Sequence, residues 1–297
     1  MTDASYRCAT ASLLRDDQLV GSATRVPAFL LVEHPGPWGQ AALRDAALPG
    51  NLLAGLRRRS TSTGVRILLM RRHRQRGQDG VRVFAARPEA RGSWVETAVL
   101  GSHHDVLDLD LEALGVGRSP GLEQHAEPLF CVCTHGRHDA CCAERGRPVA
   151  AQLSRTHPKQ TWEVSHLGGD RFAANLLVLG VGLGYGRVTP DVAPVIAEAH
   201  LAGRITPDHL RGRAAFTMPV QAAELAVRRA LDVWEVEALR LDSWAGGRAR
   251  FEVDGDLHEV LVTRTLGDAH RLTCSSHDAD PVPSYTTGPV QRVAAYS

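Results

Sequence analysis

Four cysteines fall within residues 131 to 142, in CVCTHGRHDACC, and His166 and Asp170 follow one expected strand later, in WEVSHLGGDRF. No other stretch restricts the chain as much. Thiol, imidazole and carboxylate groups gathered at such spacing are the donor set of a metal site. The competing explanation is a set of buried free thiols beside ordinary loop histidines. Four cysteines set in glycine-containing loops around a β-α-β pattern favour the metal.

The rest of the composition narrows the setting. A chain of 297 residues accommodates two domains, and 43% hydrophobic residues can supply their cores. A net charge of +1 asks for neither nucleic acid nor an acidic partner. No apolar run reaches the roughly 20 residues of a membrane span. The start, MTDASYRCATASLLRDDQ, lacks the basic segment and apolar core of a signal peptide. These features predict a cytoplasmic protein without a membrane span, in which cysteines serve as thiols or metal ligands rather than disulfides.

Along the chain, VPAFLLVE (26 to 33), VRILLM (65 to 70), VRVFAA (81 to 86) and WVETAVL (94 to 100) read as strands, with Gly77 and Gly80 in the turn between the second and third. Residues 40 to 58 predict one or two helices broken at Pro49-Gly50. The arginine run from Arg57 to Arg76 reads as a solvated strand edge and turn. The polar stretch 116 to 127 is the expected domain boundary. Beyond it, PLFCVCTH predicts a strand, Gly146 and Pro148 a helix start, TWEV a strand, and NLLVLGVGLGYGRV a strand pair. GVGLGYG is set aside as a nucleotide motif because it lies between strands. Thr189-Pro190-Asp191 opens a helix that Gly203 ends. Residues 219 to 233 form an amphipathic helix. RARFEV and LHEVLVTR flank a hairpin turn at Asp254-Gly255, RLTCS predicts a strand, and the tail is extended.

The phrases GSATRVPAFLLVEHPGPWG, CTHGRHDACCAERGRP and WEVSHLGGDRFAANLLVLGVGLGYGRVTP together resemble the sucrase/ferredoxin-like family, over most of residues 10 to 205. The resemblance implies a thioredoxin-like ferredoxin domain with a 2Fe-2S cluster held by two cysteines and two histidines, the histidines in an H-x3-H arrangement. It places the ligands on Cys133, Cys142 and His166. Cys142 is chosen over Cys141 because Gly146 stands where such ferredoxins carry a glycine four residues on. The fourth position is Asp170, where the family pattern has histidine. Nothing resembles the carboxylate pair of a glycosidase, so sucrose hydrolysis is not expected. The implied architecture is α/β with two thioredoxin-like units: an N-terminal unit over 1–120 without an evident site, the ferredoxin domain over 121–215, and a C-terminal helix plus β-hairpin extension over 216–297.

The chemistry can be weighed beside the resemblance. Iron in such a cluster takes thiolates, and imidazole can replace them on one iron. A carboxylate is harder, so Asp170 has three readings: an iron ligand, an acceptor for an imidazole N–H, or the mark of a labile or absent cluster. His135, His138 and Cys141 are alternatives for the fourth ligand. Cys131 reads as a core thiol. Arg137 and Arg171 flank the site. Three functions compete. The first is electron transfer to an unidentified redox partner protein. The second is a structural zinc site on the same residues. The third is a thiol-redox enzyme or cluster-less interaction protein, and the lack of a C-x-x-C motif at a helix start counts against the enzyme.

Overall fold

The apolar runs become strands whose alternate residues bury on opposite faces, as the two-residue period of a strand requires. The computed structural model describes residues 6–74 and 79–294; Gly77 and Arg76 lie outside the described residues. After a short helix α1 (Cys8–Leu14) come β1 (Phe29–Glu33), α2 (Ala42–Asp45), α3 (Gly50–Thr63), β2 (Arg66–Arg71), β3 (Val81–Arg87), β4 (Trp94–Leu100), α4 (Leu111–Gly115) and β5 (Glu123–Gln124). β1 runs parallel to β2 and antiparallel to β3, and β4 pairs antiparallel with β3. Leu30 and Val32 face the core under α3 and α4, while Phe29 and Leu31 face the other side.

The pattern then repeats. β6 (Leu129–Cys133), α5 (Ala140–Thr156), β7 (Thr161–Val164), β8 (Leu176–Leu179), β9 (Leu183–Tyr185), α6 (Val192–Leu201) and β10 (Leu210–Arg213) follow. β6 is parallel to β7 and antiparallel to β8, and β9 pairs antiparallel with β8. The two halves join where β2 pairs antiparallel with β7, at Met70–Val164 and Arg71–Glu163. The result is a mixed α/β structure with one curled ten-stranded sheet, in the order β10-β9-β8-β6-β7-β2-β1-β3-β4-β5. Its curl is visible in the packing. Phe29, Leu31 and Met70 of the first half share a core with Cys131, Trp162 and Leu177 of the second, while the helices cover the opposite face in two separate cores. Each fully buried leucine or phenylalanine there contributes roughly 1.5–3 kcal/mol.

A helix, α7 (Met218–Leu231), then leads to a second sheet of β11 (Arg240–Ala245), β12 (Arg248–Val253), β13 (Asp256–His270), β14 (Asp280–Thr287) and β15 (Gln291–Val293). Asp254 and Gly255 both have positive φ, at 50° and 85°, as a tight two-residue hairpin needs. Residues 271 to 275 are irregular, not the strand that RLTCS suggests. They pass instead beside α1, where the Tyr6 hydroxyl donates to the Arg271 carbonyl (2.7 Å). α7 holds to β10 through Glu224, fully buried between Arg213 (3.2 Å) and Arg228 (3.0 Å). No helix among the described residues is long and apolar enough to cross a membrane.

Candidate metal centre

Three segments position the donors: the end of β6, the first turn of α5 and the loop after β7. Cys133 is the last residue of β6, and its N–H donates to the Asn175 carbonyl (3.0 Å). The loop then turns, and Asp139 caps α5, its side chain accepting from the Cys141 N–H (2.9 Å). The sequence reading opens this helix near Gly146 and Pro148. The helix in fact starts at Ala140, and Pro148 lies inside it. The Asp139 cap outweighs the proline, because Pro148 sits on the exposed face where the carbonyl it frees can meet solvent. Cys141 and Cys142 therefore stand on a helix turn, about 100° apart around its axis, and serve different surroundings.

One turn on, Gly146 faces β6. A Cβ there would run into the Cys133 carbonyl oxygen. Only glycine lets α5 seat this closely, which accounts physically for the glycine four residues after Cys142. On the third segment, β7 ends at Val164, and Gly168 and Gly169 follow with φ of 91° and 76°. They fold the chain back so that Asp170, at the start of a 3-10 turn, faces His166.

The outcome is two overlapping donor groups. Cys133, Cys142 and His166 have ligand atoms within 4.8 Å of one another, and so do His138, His166 and Asp170. Asp170 is buried. Its Oδ1 accepts from the Cys142 thiol (3.1 Å) and lies 3.0 Å from His166 Nδ1. The second contact is close but not aligned as a hydrogen bond, so His166 Nδ1 is buried without a hydrogen-bond partner. His138 stacks on His166 with ring centroids 3.7 Å apart, and its Nε2 is 3.7 Å from Asp170 Oδ2. Of the other candidates, His135 donates from Nε2 to the Gly39 carbonyl (2.8 Å) and packs edge-on against Trp38. Cys131 lies in the shared core, where burial pushes its thiol up to about 12. Arg137 is exposed, and Arg171 turns away from the donors toward Asp17 (3.5 Å).

The charges favour an ionised set. The Cys142 thiol beside it holds Cys133 well below the usual thiol range, with His166 adding to the effect against burial. The same contact, with burial, pushes Cys142 up. Burial works against a charged His166, but Asp170 and Cys133 outweigh it and raise the imidazole to about 9. Asp170 is held low: burial opposes its charge, and His166 overrides burial. These contacts favour the charged forms of Cys133, His166 and Asp170.

Sequence reasoning missed the residues that brace this site. Arg211, buried in β10, donates to the Gly168 carbonyl (2.9 Å) and to Asn175 Oδ1 (2.8 Å), and Asn175 Nδ2 donates to the Gly169 carbonyl (3.0 Å). An arginine in a short strand carries no signal for that role. It also missed that Cys8 and Cys274, from opposite ends of the chain, meet Cys141 and Asp139.

No curated protein and no solved structure matches the chain. A family model described as Sucrase/ferredoxin-like matches residues 19–212, a span that takes in Cys133, Cys142, His166 and Asp170 and leaves out Cys8 and Cys274. That span is more than half of the chain, and the chain belongs to the sucrase/ferredoxin-like family.

Proposed function

We propose that the chain is a one-electron carrier holding a 2Fe-2S cluster on Cys133, Cys142, His166 and Asp170. The observation that carries this reading is the convergence of two sulfurs and a ring nitrogen within 4.8 Å at the family's own motifs. The donor set fits: two thiolates suit iron, and imidazole is accepted on one iron. His166 Nδ1 is buried 3.0 Å from Asp170 Oδ1 without an aligned hydrogen bond, and a metal would take the place of its proton. When bound, the cluster supplies a site that gains and loses a single electron.

The chain's residues hold and shield that site. Gly146 seats the Cys142 turn against Cys133, and Arg211 with Asn175 fixes the turn bearing His166 and Asp170. His166 and His138, with side chains 25% and 33% exposed, form the edge that a redox partner protein meets. We read residues 121–215 as a thioredoxin-like ferredoxin unit, 1–120 as a thioredoxin-like unit without an evident site of its own, and 216–297 as an extension. The order β7-β6-β8-β9, repeated as β2-β1-β3-β4, supports this.

A second reading, structural zinc on the same residues, draws support from the compactness of the donors, which suits a single ion. The fourth ligand has a rival in His138, whose Nδ1 is set by the Gln40 carbonyl (3.2 Å) and whose Nε2 faces the site. Anaerobic purification tests the function. A reddish-brown protein with iron and acid-labile sulfide in equal amounts supports the cluster; a colourless protein with zinc lost on Cys133→Ser supports the second reading. Asp170→His then tests the fourth ligand, since a neutral ligand for an anionic one should raise the midpoint potential. An unchanged potential, with the cluster lost in His138→Ala, assigns His138 instead.

A further inference from the structure

The first turn of α5 looks two ways. Cys142 faces Cys133, while Cys141, its neighbour, faces Cys8 of α1 and Cys274 of the segment between β13 and β14. We propose a second metal site, a structural zinc held by Cys8, Cys141, Cys274 and Asp139, that ties both ends of the chain to the helix carrying the first site. It stands independently of the cluster reading.

The geometry is that of a tetrahedral site without its ion. Cys141 Sγ lies 3.4 Å from Cys274 Sγ, and Cys274 Sγ lies 3.5 Å from Cys8 Sγ. Both carboxylate oxygens of Asp139 lie 3.6 Å from Cys8 Sγ. All four donors are within 4.8 Å of one another. Zinc binds thiolate at about 2.3 Å and carboxylate at about 2.0 Å, so a tetrahedron sets sulfurs about 3.8 Å apart and sulfur about 3.5 Å from oxygen. The observed spacings need shifts of only a few tenths of an ångström.

Two alternatives fit less well. A disulfide joins two sulfurs at about 2.0 Å and leaves a third thiol over. Three inert core thiols would not gather around a carboxylate. Asp139 and Cys8 are nine-tenths or more buried, as is Cys141. Zinc takes the place of thiol and carboxyl protons when it binds such a set. The support is in place: Asp139 is oriented by the N–H groups of Cys141 (2.9 Å) and Cys274 (2.6 Å), which leaves oxygen lone pairs free. The Arg271 guanidinium fixes the Cys274 carbonyl (3.1 Å). The site closes a loop of chain between residues 8 and 274, where one ion gains most against an unfolded chain.

Elemental analysis of the full chain, grown with zinc and purified with a reductant, tests the site. The expected result is one zinc per chain, lost in both Cys8→Ser and Cys274→Ser, with iron content and visible spectrum unchanged. Should either variant fail to fold, cobalt(II) exchanged into the wild-type chain should give thiolate-to-cobalt charge-transfer bands and strong tetrahedral visible bands that one equivalent of zinc abolishes. Wild-type protein without zinc overturns the proposal. So does zinc that survives both substitutions and leaves with Cys133→Ser, iron lost in place of zinc from Cys8→Ser, or a Cys141–Cys274 disulfide in a peptide mass map. A chain without iron whose zinc leaves with Cys8→Ser keeps this proposal and sinks the cluster.

Discussion

The two halves of the ten-stranded sheet share strand order and sense but not chemistry. In the first, β1 passes into His34-Pro35-Gly36-Pro37-Trp38 before its helices; in the second, β6 passes into Thr134-His135 and on to two cysteines at the start of α5. The antiparallel β2–β7 seam sets these two loops face to face. The first-half loop then becomes a wall of the second-half site: the Gly39 and Gln40 carbonyls meet His135 and His138, and Trp38 packs against His135. One copy of the layout supplies donors, and the other supplies their cover. The first half of the sheet is thus part of this site without offering it a ligand.

The comparison breaks most visibly at the thiols. Under the proposed cluster ligation, Cys133→Ser and Cys142→Ser should each abolish the visible chromophore, whereas Cys131→Ser and Cys141→Ser should keep it. Iron and sulfide analysis of the four variants checks this. A chromophore that survives Cys142→Ser and vanishes in Cys141→Ser would show that the two neighbours exchange roles.

The next effect separates the two helices. At Gly146 an added methyl group meets backbone, the Cys133 carbonyl, which cannot yield without moving β6. At Gly55 of α3 it meets only the Leu107 side chain, at 3.0 Å, which can turn aside. Gly146→Ala should therefore cost about 2–4 kcal/mol and weaken the cluster, and Gly55→Ala should cost less than about 1 kcal/mol, its helix propensity gain offsetting the crowding. Urea unfolding of both variants measures the gap. Equal losses would mean that α5 is no more closely seated than α3.

These positions also show what a sequence exposes. The inner strands of both halves were legible because apolar runs such as those of β1, β6 and β8 are buried on both faces, and β4 matches its expected span at Trp94–Leu100; the short edge strands β5 and β10 carry no such run and were not. The cysteines and the Ser165-to-Asp170 turn were legible because their residue types and spacing carry chemistry. The start of α5 was not, since a proline inside a helix and one at its first turn look alike until a cap such as Asp139 is seen to act. Nor were Cys8 and Cys274, or Arg211. Their roles come from contacts across up to 266 positions of chain, and no local pattern encodes that.

A more gradual effect, spread over a pH window, lies in the first half, at His34. Its ring is 6% exposed, packs edge-on against His103 with centroids 5.5 Å apart, and leaves Nε2 without a hydrogen-bond partner. Burial, with His103 and Arg71 nearby, lowers its pKa to about 4. His166, in the other half, is driven the opposite way by its carboxylate and thiolate neighbours. An unfolded chain protonates His34 near its ordinary pKa of about 6.5. Between about pH 6.5 and 4, then, the unfolded state binds a proton that the folded state refuses. The stability from neutral His34 is complete above that window and is lost as pH falls through it, by up to about 3 kcal/mol. His34→Phe, which keeps a buried ring and removes the proton site, should flatten this part of the stability profile. Thermal or urea unfolding from pH 7 to 4 reads the slope. Identical slopes in the two proteins would mean that His34 takes up its proton in the folded chain as readily as in the unfolded one.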